Sequence, residues 1–101
     1  MAQPETPGTV DAALDLLRRA YKDAADLIEN TPAAEQAFES ATELAGSLRA
    51  VAEDAAELRA RMAARIWKAE EMSLAALAQR IGVSKARAAQ LIKTATTQEQ
   101  R

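Results

Sequence analysis

Apolar residues recur along the first third of this chain at steps of three and four residues, which places their side chains on one face of an α-helix. These residues are Val10, Leu14, Leu17, Tyr21, Ala24 and Ile28. Pro32 follows, and proline ends a helix because it has no backbone N–H to donate. The pattern therefore predicts a first helix over residues 10–30, with Thr9 or Asp11 as its N-terminal cap.

A longer apolar run comes next and predicts a second helix from about Pro32 to Glu71, capped by Thr31. Its apolar residues keep a strict alternation of four and three residues, which is the heptad seam of helices that pack along their length. The seam consists of Ala37, Ala41, Leu44, Leu48, Val51, Ala55, Leu58 and Met62. Arg65 would be its next member, so the seam stops there.

We expect the first two helices to form an antiparallel hairpin, because the connection between them is short. The second helix is about twice as long as the first, so about half of its seam lies beyond the hairpin. A second copy of the chain is the expected cover for that half, which makes the protein a homodimer. The predicted interface comprises Leu44, Leu48, Val51, Ala55, Leu58 and Met62. The alternative is a helix that packs only on its own hairpin partner.

Residues 72–93 follow a different pattern, with two short apolar runs on either side of a single glycine. Ser73 is suited to cap the first short helix and Ser84 the second. Gly82 lies between them, where the end of a helix commonly takes a left-handed backbone that glycine adopts at least cost. The inward face of the second short helix is predicted to consist of Ala88, Leu91 and Ile92.

This segment resembles the DNA-binding helix-turn-helix, in which a sharp turn joins two helices that meet at a small residue. It looks closest to the region of bacterial sigma factors that reads the upstream promoter element. The residues that carry the likeness are Ser73, Leu74, Ala78, Gly82, Val83, Ser84, Arg87, Gln90 and Leu91. The likeness covers about 23 of the 101 residues, and Ala88 departs from it, since a branched aliphatic residue is usual there. Nothing before about Arg65 resembles a sigma factor, so the resemblance implies a DNA-reading head and not a polymerase role.

A recognition helix of this kind enters the major groove and places its N-terminal residues at the base edges. Arginine can donate two hydrogen bonds to guanine, and glutamine can pair with adenine. The predicted base contacts are Ser84, Lys85, Ala86, Arg87 and Gln90. Contacts to DNA phosphates are predicted for Arg80, Lys93, Arg59, Arg61, Arg65 and Lys68. Ala86 and Ala89 offer few atoms for reading bases, so part of any specificity is expected to come from DNA shape.

The net charge of −2 conceals two halves of opposite sign. Residues 1–58 hold 12 acidic and 4 basic residues, whereas residues 59–101 hold 3 acidic and 9 basic residues. This division favours an acidic half that contacts proteins and a basic half that contacts a polyanion. The alternative is two solvated helix faces of opposite charge.

The composition also excludes several classes of chemistry. The chain has no cysteine and no histidine, so it offers neither a thiolate nor an imidazole to a metal or a reaction. It holds no glycine-rich phosphate loop and no paired nucleophile and base, and we therefore expect no enzyme, cofactor, metal site or small-molecule ligand. Its apolar runs are shorter than the ~20 residues of a membrane span. Its N-terminus lacks the pattern of a signal peptide, so a soluble cytoplasmic protein without membrane contact is expected.

These features predict an all-α protein with a helical hairpin, a long second helix and a C-terminal helix-turn-helix. We divide it into a flexible tail (residues 1–9), an acidic hairpin and long helix (residues 10–71), a DNA-binding head (residues 72–95) and a second flexible tail (residues 96–101). Trp67 is expected to pack where the long helix meets the head. The predicted function is a dimeric bacterial transcriptional regulator that binds double-stranded DNA sequence-specifically. The alternatives are an adaptor that docks on the transcription machinery and a non-specific architectural DNA binder.

Overall fold

The computed structural model describes residues 6–99, and all of their regular secondary structure is α-helical. Four helices follow one another: α1 (Val10–Glu29), α2 (Ala34–Glu70), α3 (Leu74–Ile81) and α4 (Lys85–Glu99). The predicted all-α class is therefore confirmed. The chain divides into two compact units, Met1–Ser47 and Leu48–Arg101. The predicted tails fall partly on residues 1–5 and 100–101, which lie outside the described residues.

In the first unit, local hydrogen bonds fix both ends of α1. Thr9 Oγ1 accepts a hydrogen bond from the Ala12 N–H at 3.1 Å, so Thr9 is the N-cap. At the other end, the Thr31 hydroxyl donates to the Leu27 carbonyl at 2.9 Å. The prediction that Thr31 caps the second helix is wrong, because this hydroxyl completes the last turn of α1 and α2 begins only at Ala34.

Most of the apolar stripe of α1 is exposed to solvent. Val10, Leu14, Leu17 and Tyr21 are exposed, whereas Ala24 and Ile28 at the end of the stripe are half-buried. A closed helical hairpin would cover such a stripe, since burying apolar surface is the main force that packs helices together. The antiparallel hairpin therefore stays a prediction.

The second unit has one hydrophobic core, which we call the C-terminal core, and three helices contribute to it. Its buried residues are Ala60, Ala63 and Ala64 of α2, Leu77 and Ala78 of α3, and Ala88, Leu91, Ile92 and Ala95 of α4. Partly buried side chains surround it, namely Trp67, Met72, Leu74, Ile81 and Val83. Alanine removes little apolar surface from water, so this core depends strongly on its few larger residues.

The end of α2 belongs to the head as much as α3 and α4 do. Each of the two short helices buries a single stripe, and two such stripes do not enclose a core on their own. Ala60, Ala63 and Ala64 of α2 supply the third wall. The predicted division at residue 72 therefore separates residues that share one core. The sequence did not reveal this, because the alanines of the long helix gave no sign of a second buried face.

α4 extends further than the sequence predicts. It continues to Glu99, so the prediction of a flexible tail from residue 96 is wrong for residues 96–99. Ala95 is buried in the C-terminal core, which holds the helix down beyond the predicted end of the head. No proline or glycine follows Gly82, so nothing local interrupts the helix.

Within the second unit, α2 carries two different apolar faces. One face consists of Ala60, Ala63 and Ala64 and is buried in the C-terminal core. The other consists of the seam residues, of which Leu58 and Met62 remain exposed. At 3.6 residues per turn the two faces lie roughly 150° apart around the helix axis. Packing of the head therefore leaves the seam uncovered.

Candidate nucleic-acid interface

Two serine caps and one glycine define the turn between α3 and α4. Ser73 Oγ accepts a hydrogen bond from the Ala76 N–H at 3.1 Å, and Ser84 Oγ accepts one from the Arg87 N–H at 3.0 Å. Gly82 ends α3 in the left-handed conformation, with φ 73° and ψ 37°. A Cβ added there would have no atom within 4 Å, so the backbone angle and not crowding favours glycine. Both predicted caps and the predicted glycine conformation are confirmed.

α4 turns one face into the C-terminal core and the opposite face to solvent. Ala88, Leu91 and Ile92 are buried, which confirms the predicted inward face. We call the exposed residues of its first nine positions the outer face of α4: Lys85, Ala86, Arg87, Gln90 and Lys93. Four of these five residues carry a hydrogen-bonding or charged side chain. The outer face is therefore a polar surface on a helix that the core holds from behind.

Arg87 and Gln90 are joined on this outer face. Arg87 Nη1 donates a hydrogen bond to Gln90 Oε1 at 3.2 Å, across one turn of the helix. The bond holds the two long side chains next to each other and leaves other guanidinium donors and the Gln90 amide donors for a ligand. Ser84 is placed differently, because its Oγ already accepts the capping hydrogen bond from the Arg87 backbone. Its hydroxyl hydrogen and one further lone pair remain for a ligand.

Arg80, a predicted phosphate contact, forms a two-pronged ion pair with Glu70. Its Nη1 lies 2.5 Å from Glu70 Oε2 and its Nη2 lies 2.9 Å from Glu70 Oε1. The hydrogen bond to Glu70, followed by the negative charge of that carboxylate, raises the pKa of Arg80 above its ordinary value. The pair joins the last turn of α2 to the last turn of α3. Arg80 is thus engaged within the head.

Two more predicted phosphate contacts hold the end of α4 against α2. Lys68 Nζ lies 2.8 Å from Glu99 Oε1, and Arg61 Nη1 donates to Gln98 Oε1 at 3.2 Å. Sequence reasoning missed Gln98 and Glu99 because it placed them in a tail. Their only signal was the uninterrupted run of helix-compatible residues after Ala88.

The other predicted phosphate contacts have no carboxylate partner. Arg59 and Lys93 form no ion pair within residues 6–99, and the same holds for Lys85 and Arg87 of the outer face. Arg65 lies over a seam residue instead, with its Nη1 3.7 Å from Met62 Sδ. An external anion therefore reaches Lys85, Arg87 and Lys93 of α4 without having to displace an ion-pair partner within residues 6–99.

Glu57 of α2 is the acidic neighbour of the outer face. It is half-buried, and it lines one shallow depression together with Gln90 and Lys93 of α4. No signal in the sequence placed it there, since 33 residues separate Glu57 from Gln90. Its carboxylate opposes the approach of an anion to Lys93.

Trp67 packs against the C-terminal core and is half-buried, which confirms its expected place where α2 meets the head. Its indole N–H is buried and has no hydrogen-bond partner within the described part of the chain. Trp67 therefore contributes apolar contact to the head, and its ring is held by the core.

Other kinds of site find no support in residues 6–99. These residues contain no group of three or more acidic side chains that could hold a metal ion. None of their helices is long and apolar enough to cross a membrane. Comparisons with protein families, with curated proteins and with solved structures found no match to this chain. The outer face of α4, a polar surface on a helix whose other face is buried, is the candidate site that the geometry favours.

Proposed function

We propose that this protein binds double-stranded DNA sequence-specifically through the outer face of α4 and acts as a small dimeric transcriptional regulator. The observation that carries the proposal is the division of α4 into a buried apolar face and an exposed face with Lys85, Arg87, Gln90 and Lys93. A helix held in this way presents its N-terminal residues to a groove without loss of core contacts. The resemblance of residues 72–93 to helix-turn-helix proteins supports the same conclusion.

Arg87 and Gln90 are the proposed base readers. Arginine is the side chain that most often reads guanine, because its fork of donors matches the O6 and N7 acceptors in the major groove. The 3.2 Å hydrogen bond to Gln90 restricts the rotation of the Arg87 side chain before DNA arrives, which lowers the entropy lost on binding. Ala86 contributes only a methyl group, so few bases are read directly and DNA shape supplies part of the specificity.

Phosphate contacts are proposed mainly for the cations without an internal partner. Lys85 and Lys93 flank the base readers on α4, and neither forms an ion pair within residues 6–99. Arg80, Arg61 and Lys68 instead bond to Glu70, Gln98 and Glu99, so their contacts to DNA require an exchange of partners. Such contacts set the position and the affinity of the protein but not the choice of sequence.

Salt dependence tests whether the interaction is one with a polyanion. The logarithm of the association constant for a duplex is expected to fall linearly with the logarithm of salt concentration, because bound phosphates release counterions. Lys93→Gln is expected to reduce the slope by about 1, whereas Lys22→Gln on α1 removes the same charge and is expected to leave it unchanged. Fluorescence anisotropy with a labelled duplex measures both slopes. A wild-type slope near zero would contradict the proposal.

Replacing Glu57 with glutamine is expected to strengthen DNA binding about three- to tenfold at low salt. The substitution removes a carboxylate that shares the depression of Lys93 and Gln90, and so removes its repulsion of the phosphates. Glu53→Gln, one turn earlier on α2, changes the net charge equally but lies outside that depression. Titration of both variants against one duplex measures the difference. Equal effects of the two substitutions would show that only net charge matters.

A second candidate function is that of a protein-interaction adaptor that docks on the transcription machinery. The exposed apolar residues Val10, Leu27 and Phe38 of the acidic first unit favour it. An adaptor of this kind still docks on its protein partner when Arg87 is replaced by alanine. It loses this docking when Leu48→Asp disrupts the seam. A non-specific architectural DNA binder, the third candidate, keeps the salt slope without a preferred sequence. The two variants and the salt titration therefore separate all three functions.

A further inference from the structure

An apolar face of α2 in the second unit lacks a partner. Leu48, Val51, Leu58 and Met62 expose 43%, 51%, 49% and 40% of their surface, and Ala55 lies exposed between them. We call these five residues the seam face. It lies roughly 150° around the helix from the alanines that α3 and α4 cover, so formation of the C-terminal core does not bury it. Four large apolar side chains in one row are unusual on a helix that stays in water.

The seam face has a defined end. The next position of the heptad is Arg65, whose guanidinium lies 3.7 Å from Met62 Sδ. A charged group at that position resists burial between two helices, so any partner that covers the seam face stops near Met62. The partner surface is therefore two heptads long within this unit, and its unbroken heptad spacing is typical of helices that wind around each other in a left-handed supercoil.

Three charges flank the seam face, Asp54 and Arg61 on one side and Arg59 on the other. Arg61 is already bonded to Gln98 within the unit, which leaves Asp54 and Arg59. Asp54 precedes the layer of Ala55, and Arg59 follows the layer of Leu58. Both are exposed, and neither forms an ion pair within residues 6–99. In paired helices such flanking positions contact the opposite helix and decide its identity and direction. Asp54 and Arg59 thus remain available to a partner.

These charges distinguish the two directions in which a second copy can lie. In a parallel pair in register, each seam residue meets its own counterpart, and Asp54 faces Arg59 of the other copy, twice by symmetry. In the antiparallel register that places Leu48 opposite Leu58 of the other copy, Val51 lies opposite Ala55. Asp54 then lies opposite the second Asp54, and two like charges repel each other. Charge complementarity therefore favours the parallel pair.

We infer that a second copy of this chain covers the seam face as a parallel, in-register pair of α2 helices, held in direction by two Asp54–Arg59 ion pairs. The inference specifies how the proposed dimer is built and does not depend on DNA binding. It assigns Arg59 to the partner helix, although the sequence had suggested a phosphate contact for this residue. Parallel pairing places the two heads at the same end of the paired helices, related by a two-fold axis.

Engineered cysteines test the direction directly, because the chain has none of its own. A disulfide forms only where the two Cα atoms approach within about 7 Å. Under mild oxidation, the Leu48→Cys variant and the Leu58→Cys variant are each expected to form disulfide-linked dimers. When the two variants are mixed, no preference is expected for disulfides between one variant and the other. Glu53→Cys, on the opposite side of α2, is expected to remain mostly monomeric on denaturing gels. A preference for disulfides between the Leu48→Cys variant and the Leu58→Cys variant would overturn the parallel arrangement.

Charge reversal tests the flanking pair separately. Asp54→Arg is expected to weaken self-association roughly fivefold or more, because it replaces two attractions with two repulsions. The double variant Asp54→Arg/Arg59→Asp restores both attractions in a parallel pair, and its dimerisation is expected to return towards the wild-type value. Sedimentation equilibrium measures each association constant. No weakening by Asp54→Arg, or no recovery in the double variant, would overturn the assignment of the pair.

Solution mass separates failure of this inference from failure of the proposed function. Wild-type protein is expected to dimerise, and Leu48→Asp is expected to be a monomer with unchanged helical circular dichroism, since Leu48 lies outside the C-terminal core. A wild-type chain that stays monomeric at every concentration would overturn the inference. A chain that crosslinks as expected but binds no DNA would support the inference and contradict the proposed function alone.

Discussion

Replacing Leu77 with alanine is expected to lower the free energy of unfolding by about 2–5 kcal/mol, the largest effect of any conservative truncation proposed here. Leu77 is 0% exposed and is the largest fully buried side chain in residues 6–99. Its neighbours in the C-terminal core are mostly alanines, which are too short to fill the cavity that truncation leaves. A small protein has a total stability of about 5–15 kcal/mol, so this loss is a large fraction of the total.

Denaturant unfolding, followed by the fluorescence of Trp67, measures this loss. Trp67 is the single tryptophan of the chain and packs on the C-terminal core, so its signal reports the head. Leu27→Ala serves as the control, because Leu27 is 74% exposed and its truncation removes little buried surface. Equal losses of stability for the two variants would contradict the arrangement of the core.

Replacing Arg87 with alanine is expected to weaken binding to the preferred DNA sequence by about 1–3 kcal/mol, or roughly 5- to 150-fold. The guanidinium lies on the exposed side of α4, and its backbone N–H keeps the capping bond to Ser84 whatever the side chain is. The stability of the protein is therefore expected to change little, which separates this variant from Leu77→Ala.

The pattern of the loss distinguishes base reading from phosphate contact. If Arg87 reads a base, the penalty falls on the preferred sequence, and discrimination against one base position disappears. If Arg87 contacts only a phosphate, all sequences weaken alike. Arg18→Ala on α1 removes the same charge and is expected to leave binding unchanged. Binding competition between matched and single-substituted duplexes measures the difference, and a uniform loss would contradict the role proposed for Arg87.

Local signals were the part of the fold that the sequence predicted well. Thr9, Ser73, Gly82 and Ser84 act within a few residues of themselves, so their types alone indicated helix ends. The sequence likewise predicted the bounds of α2 to within two residues at its start and one at its end. Thr31 failed because its hydroxyl serves the preceding helix and not the following one, and both uses suit the same residue type.

Contacts distant in sequence were the part that could not be predicted. The buried face at Ala60 and Ala63 could not be recognised from the sequence, because alanine is common on every side of α2 and only the larger seam residues formed a pattern. The bond between Lys68 and Glu99 spans 31 residues, so the sequence did not reveal it. Lys68 was therefore predicted as a DNA phosphate contact from the distribution of charge alone. Ion pairs between residues that are distant in the sequence decide which cations remain free for an external ligand.

The measurement that tests the central claim most directly is selection of wild-type protein on a random-sequence duplex library at moderate salt. We predict enrichment of a short motif, and its appearance as an inverted repeat, because a two-fold dimer presents two identical heads to two half-sites. Retention of DNA without any enriched motif would contradict sequence-specific binding and indicate an architectural binder. No retention at all would contradict the DNA-binding role proposed for α4.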